Sequence, residues 1–364
     1  MGQARISNLR RRMQEENIEA LLVSAPENRF YLSGFTGDEG WLLVTSGKAF
    51  LITDRRFLEQ AAAEAPNFII VDRGDSFLAR LGEVVAEEGI RILALEEDHV
   101  TFNFYRRVME AVADPKSNLP KNLILKPASG LVEGLREIKE EGEIQLLRRA
   151  ANLADAAFEY ILSFLKPGAL EIEIAAELEY FMRRKGAEGP AFPTIVASGP
   201  RSSLPHGRAG KRALQKGDLV VLDFGALFGG YNSDLTRTVV LGPVTPEQTR
   251  LYRTVRTAQE LALQGLKAGL KAREADALAR NYIESTDYAG RFAHGLGHGV
   301  GLSIHEGPTL SHNRETILQA GMVVTVEPGI YLPGWGGVRI EDMAVVEEDG
   351  CAILTHADKS LLVL

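Results

Sequence analysis

Short apolar runs alternate with helical stripes over roughly the first third of the chain. LLVS (21–24), WLLVT (41–45), AFLIT (49–53), FIIV (68–71), RILAL (91–95) and NLILK (122–126) have strand length and are rich in branched and aromatic side chains. Between them, DRRFLEQAAAEA (54–65), FLARLGEVVAEEG (77–89) and FNFYRRVMEAVA (102–113) repeat apolar residues every three or four positions. That is the spacing of a helix with one buried face. Ile6, Leu9 and Met13 form a similar stripe among arginines, and Asp54, directly after a strand, reads as a helix N-cap. The alternation predicts an α/β domain.

The pattern changes at PASGLVEGLREIKEEGEIQLL (127–147), where proline, serine and glycine precede a strongly charged helix. The division is placed there, giving domains 1–128 and 129–364. In the second domain the periodicity predicts helices over 141–165, 171–186, 246–266 and 273–285. Strands are predicted at 193–198, 218–227, 236–242, 322–329 and 337–348. Helices mixed with antiparallel strand pairs indicate an α+β arrangement.

Two of these segments align without gaps, GDLVVLDFGAL (217–227) and GMVVTVEPGIY (321–331). Each runs from a glycine through an apolar strand to an acid, Asp223 or Glu327, followed two residues later by glycine. Each then turns back to a strand with a further acid, Asp234 in NSDLTRT or Glu341 in RIEDM. The repeat predicts two related half-domains with carboxylates in matching places.

A carboxylate after Val220-Val221-Leu222 is desolvated, and four converging carboxylates repel one another. A divalent cation reverses both penalties, and two cations can share bridging carboxylates. FAHGLGHGVGLSIHEGP (292–308) holds three of the seven histidines. Its glycines oppose a helix, so the stretch reads as a glycine-lined strand or loop that lets backbone and substrate approach closely. His298 is the candidate ligand, leaving His294 and His305 as imidazoles able to donate protons or hold developing charge. Oxygen ligands with one imidazole suit Mn²⁺, Co²⁺, Fe²⁺ or Zn²⁺. Arg339, two residues before Glu341 and on the same strand face, can offset surplus negative charge. His99, His312 and His356 have no comparable setting and read as ordinary surface or loop histidines.

Composition narrows the partners. A formal net charge of -8 disfavours nucleic acid, which needs a basic face. Cys351 is the only cysteine, so no intrachain disulfide can form, as suits a reducing cytoplasm. No apolar run reaches membrane-spanning length, and the N-terminal stretch lacks the order of a signal peptide. These features predict a cytoplasmic protein.

LDFGA, NSDLTRT, HGLGHGVGLSIHE, VEPGIY and GVRIEDM together resemble the pita-bread metallopeptidases, family M24, and within them the Xaa-Pro peptidases. SGPRSSLPHG (198–207) is similar to that branch, and ENRFYLSGF (27–35) and LITDRR (51–56) are looser matches in the first domain. The resemblance implies a creatinase/prolidase-type N-terminal α/β domain followed by a pita-bread catalytic domain with pseudo-twofold halves. It implies two metal ions, Mn²⁺ or Co²⁺ with Zn²⁺ as the other candidate. Asp223 would bind one metal, His298 and Glu327 would complete the second site, and Asp234 and Glu341 would bridge. It makes Glu327 the general base, has His294 or His305 steady the tetrahedral intermediate, and puts His206 beside the substrate proline. Short proline-containing peptides are the implied substrates, and a homodimer the implied assembly. Methionine aminopeptidases share the five ligands but usually lack the N-terminal module. A binding protein that had lost catalysis would not need the intact ligand set.

Overall fold

The computed structural model describes residues 2–364, and the chain divides into two compact units that meet between Arg136 and Glu137. That division lies beyond the break expected after 128. The strand Ile124–Ala128 pairs with Ile92–Glu96, and Arg136 Nη1 donates to Asn28 Oδ1 at 2.7 Å, so the intervening residues belong to the first unit.

The first unit is built on one six-stranded mixed sheet. In spatial order its strands are Ile69–Asp72, Ala49–Thr53, Trp41–Thr45, Ala20–Val23, Ile92–Glu96 and Ile124–Ala128. The three strands Trp41–Thr45, Ala49–Thr53 and Ala20–Val23 form antiparallel pairs, whereas the outer pairings are parallel. Leu22, Leu43 and Leu93 of the sheet pack with Leu81 and Val85 of the helix Phe77–Glu87, all fully buried. Each such side chain contributes about 1.5–3 kcal/mol relative to exposure. One helix, Pro26–Ser33, was not evident from periodicity because its buried face includes Asn28 and Arg29. Glu96, on a neighbouring strand, holds the chain just before it by accepting from the Ser24 and Ala25 amides at 2.6 and 2.8 Å. Asp54 is an N-cap as expected, its carboxylate accepting from the Arg56 amide, although the first turn of that helix is a tight 3₁₀ turn.

The second unit shows the duplication. In its first half the helices Glu141–Ile161 and Glu171–Arg184 pack on the sheet Leu235–Val240, Leu219–Phe224, Ile195–Ser198. In its second half the helices Pro246–Gly265 and Ala272–Glu284 pack on a five-stranded sheet. The order of that sheet is Glu306–Leu310, Gly297–Gly299, Val323–Val326, Asp342–Glu347, Gly350–Ile353. The long strands expected from the sequence are interrupted where the acids lie. The first stops at Phe224 and restarts at Ala226, and 322–329 divides after Val326. The span 337–348 divides around Ile340 and Glu341.

The register refines the repeat. Asp223 pairs with Thr236, so Asp234 lies two residues further along its hairpin. In the second half Val326 pairs with Asp342, which sets Glu327 level with Glu341. The return-strand acids are therefore offset by two residues, with Thr236 occupying the place that matches Glu341. An offset of two keeps the same face, because side chains alternate with period two. All four acids consequently still meet.

Candidate metal centre

The hairpins, together with the strand Gly297–Gly299, deliver Asp223, Asp234, His298, Glu327 and Glu341 to one cavity of about 610 Å³. His294, His305, His206 and Arg339 line the same cavity, so every residue singled out for chemistry from the sequence is brought together. His99, His312 and His356 lie outside it and are exposed. Apolar Phe192, Pro193, Ile195 and Pro205 form part of the wall.

Donor atoms of Asp234, His298 and Glu341 lie within 4.8 Å of one another, a grouping that can hold a metal ion. His298 Nε2 is 3.6 Å from Asp234 Oδ2 and 3.3 Å from Glu327 Oε1. The His298 tautomer suits a ligand. Its Nδ1 is 3.1 Å from the Gly299 carbonyl, which can only accept, so Nε2 keeps its lone pair toward the carboxylates. Asp223 is engaged differently, since Arg339 Nη2 donates to its Oδ2.

The electrostatics test whether a cation fits. Asp234 is 5 % and Glu341 1 % exposed. Burial, then the neighbouring carboxylates, push both carboxyls well above the usual range. Burial also raises Glu327, although His294 and Arg339 oppose the rise. Glu341 Oε2 accepts from Thr236 Oγ1 at 2.6 Å, but its Oε1 is buried with no hydrogen-bond partner. A buried carboxylate oxygen with no donor, among three other acids, is a defect in a protein of hydrogen bonds alone. A divalent cation removes the defect, so the residues fit a metal.

The imidazoles fall into two classes. His294 Nδ1 donates to the Gly295 carbonyl at 2.8 Å, and burial lowers its pKa. The neutral ring therefore accepts at Nε2 from Tyr331 Oη, 3.0 Å away, which in turn accepts from Arg339 Nη1 at 2.8 Å. His305 packs edge-on against His298, with ring centroids 4.3 Å apart, and remains exposed toward the cavity. Arg339, 3 % exposed, also donates from Nε to Thr236 Oγ1 at 3.1 Å and from Nη1 to the Pro205 carbonyl at 3.1 Å.

Tyr331, Thr325 and Thr236 were not singled out from the sequence. Thr325 Oγ1 donates to Glu327 Oε1 at 3.1 Å and accepts from the His298 amide at 3.0 Å. The signal was present in VTVEPGIY, where Thr325, Glu327, Gly329 and Tyr331 alternate onto one face.

Close backbone approach explains the glycines. A Cβ on Gly297 would sit 2.1 Å from the Thr325 carbonyl oxygen, and one on Gly225 1.7 Å from that of Ser233. Gly225→Ala is therefore expected to push away the segment carrying Asp234. It should weaken Mn²⁺ binding about 10- to 100-fold, the scale seen when groups orienting metal ligands are lost. Calorimetric titration measures this, and unchanged affinity would show that the segment can give way harmlessly.

The model of metallopeptidase family M24 matches residues 145–348, more than half of the chain. The chain belongs to this family. The creatinase/prolidase N-terminal domain matches residues 5–138 of the metallopeptidase. The enzyme is 44% identical to the solved Xaa-Pro dipeptidase from Bacillus anthracis, with a TM-score of 0.96 and 100% of both chains covered. It is 39% identical to the Xaa-Pro dipeptidase of Pyrococcus horikoshii over 96% of each chain. A solved X-Pro aminopeptidase from Thermotoga maritima is 39% identical, with a TM-score of 0.88, over 97% of this chain and 100% of that one. The fold is thus the pita-bread fold with a creatinase-type N-terminal domain, and the protein is a hydrolase. Among the described residues no helix is long and apolar enough to cross a membrane.

Proposed function

We propose that this metallopeptidase hydrolyses the Xaa-Pro bond at the N-terminus of dipeptides or short peptides. It would use two divalent cations held by Asp223, Asp234, His298, Glu327 and Glu341. The observation that carries the reading is the unpartnered Oε1 of Glu341 among converging carboxylates, in a cavity whose lining also includes apolar Phe192, Pro193, Ile195 and Pro205. Polar atoms needing a cation thus share a cavity with apolar side chains suited to a pyrrolidine ring. Oxygen-rich ligands with one imidazole favour Mn²⁺ or Co²⁺, with Zn²⁺ the alternative.

When bound, the cations supply Lewis acidity toward a water and the scissile carbonyl. The remaining work falls to side chains. Glu327, its Oε1 held by Thr325, takes the proton of the attacking water. His305, unblocked at the cavity surface, steadies the oxyanion, whereas His294 is kept neutral by burial, is engaged at both ring nitrogens and supports the adjacent wall. His206 follows Pro205 in the cavity lining and is the residue proposed to face the substrate proline. The proton that Glu327 takes from the water is the one the proline nitrogen needs to leave as a secondary amine.

The decisive assay compares kcat/KM for Xaa-Pro, Xaa-Pro-Yaa and Met-Ala peptides in Mn²⁺. Cleavage confined to bonds before proline supports the proposal, and a preference for Met-Ala would replace it with a methionine-aminopeptidase reading. A cytoplasmic homodimer is the proposed state, and sedimentation giving monomer at micromolar concentration would remove the dimer.

The raised carboxyls also set a pH dependence. A carboxyl whose folded pKa lies above its unfolded value stabilises the fold below the unfolded value, and that stability is lost as pH rises through the folded pKa. Asp234 and Glu341 behave this way without metal. Metal binding needs their deprotonated forms. The melting-temperature increase caused by Mn²⁺ should therefore be larger at pH 8 than at pH 5.5. Scanning calorimetry at the two pH values checks it, and equal increments would contradict the assignment.

A further inference from the structure

Among the fully buried acids outside the metal cluster, one borders the cavity-lining segment and has no part in the chemistry above. Glu171 opens the helix Glu171–Arg184 and is 0% exposed. Its Oε1 accepts from the Ser198 amide at 2.9 Å and from Ser198 Oγ at 2.7 Å. Its Oε2 accepts from the Gly210 amide at 3.1 Å and lies 3.1 Å from Arg201 Nε. Ser198 and Gly210 are the two ends of a loop, so one carboxylate closes its neck.

The loop's content gives that neck a purpose. Between its ends lie Pro205, His206 and Arg208, all lining the cavity. Inside the loop Arg201 Nη2 donates to the Arg208 carbonyl at 2.5 Å, so the guanidinium paired with Glu171 also holds the returning limb. Arg212 reinforces the neck from outside, donating to Ser198 Oγ and to Asp218 Oδ2, both at 2.5 Å. A carboxylate at a helix N-terminus is usually a helix stabiliser that remains in contact with water. Glu171 instead spends both oxygens on a segment some thirty residues away, and a buried charge is maintained only when its partners are complete.

We propose that Glu171 is a positioning residue for substrate binding. It closes the 198–210 loop so that Pro205 and His206 present a fixed wall to the residue on the leaving side of the scissile bond. The claim rests on the Xaa-Pro reading for the identity of that residue, but the geometry of the loop is independent of it. No role in holding metal is involved, because Glu171 bonds only to the loop.

Glu171→Gln and Arg201→Met test it in the full chain loaded with Mn²⁺. The first leaves an amide group facing donors, and the second removes the partly exposed guanidinium while Glu171 keeps the Ser198 amide, Ser198 Oγ and the Gly210 amide. Three quantities are read: KM and kcat on an Xaa-Pro peptide, Mn²⁺ affinity by calorimetric titration, and hydrogen exchange of the amides from 199 to 209. Glu171→Gln should raise KM about 10-fold with kcat within about 2-fold, the scale of a lost hydrogen bond to a charged group. Arg201→Met should raise KM about 3-fold on the same grounds. Exchange should quicken in the loop alone, and Mn²⁺ affinity should not change. Unchanged exchange, faster exchange without a rise in KM, or a parallel fall in Mn²⁺ affinity would each overturn the proposal. A wild-type enzyme inactive on all Xaa-Pro peptides would instead remove the functional reading. The loop claim would then stand or fall on exchange and on KM for whichever peptide is cleaved.

Discussion

Glu341→Gln is expected to lower activity by about 1,000-fold or more and, in the absence of metal, to raise the melting temperature. The first effect follows from losing a proposed oxygen ligand at a site whose proposed chemistry depends on bound cations, where about 4 kcal/mol of transition-state stabilisation is three powers of ten. The second effect has the opposite sign to most buried substitutions. Glu341 is 1 % exposed, its Oε1 has no donor, and the other carboxylates raise its pKa. Without a cation, the native fold either confines repelling charges or holds protons that the unfolded chain would release. A neutral amide removes that burden while its oxygen still accepts from Thr236 Oγ1, the existing 2.6 Å contact. Each kcal/mol relieved corresponds to about 2–4 °C in a domain of this size. Calorimetry in EDTA and in Mn²⁺ separates the two states. The variant should melt above the wild type in EDTA and gain little from Mn²⁺. A lower melting temperature in EDTA would mean that the acids are not in mutual conflict, and the metal assignment would lose its physical basis.

Much of this centre was legible in the chain because it depends on strands, and strands carry a simple code. Asp223 and Glu327 follow apolar runs that can only be buried, and alternation then fixes which neighbours share their face. The glycines around His298 signalled close approach, and the structure shows what approaches, the carbonyl of Thr325. Long-range pairing was not legible. Arg339 was expected to share a face with Glu341, yet its guanidinium reaches Asp223, more than a hundred residues earlier. The two-residue offset between the hairpins, which sets Thr236 opposite Asp223, depends on register rather than local sequence. The helix Pro26–Ser33 escaped for a related reason. Its buried polar residues are satisfied by distant partners such as Glu96 and Arg136, so its stripe is not apolar.

Arg339→Met is the second substitution with a large expected effect, and its size should depend on metal. The guanidinium binds Asp223, Thr236, Tyr331 and the Pro205 carbonyl at once. It thereby links a proposed ligand, the return strand, the His294 contact and the substrate loop. Removing it leaves Asp223, 8 % exposed, without its cation. Breaking a buried pair by deleting one partner costs about 3–5 kcal/mol. A bound metal supplies a replacement charge beside Asp223, so the loss measured by urea denaturation should be greatest in EDTA and smaller in saturating Mn²⁺. Activity should fall about 100-fold even with metal present, because the orientation of Tyr331 and of the Pro205 carbonyl is lost as well. Arg339→Lys should not restore it, since an ammonium cannot serve four acceptors spread across the planar fork that Arg339 presents. If lysine recovers most of kcat/KM, the residue acts as a point charge only, and the linkage through Tyr331 to His294 carries no catalytic weight. If destabilisation is equal in EDTA and Mn²⁺, Asp223 and the cation do not share a site.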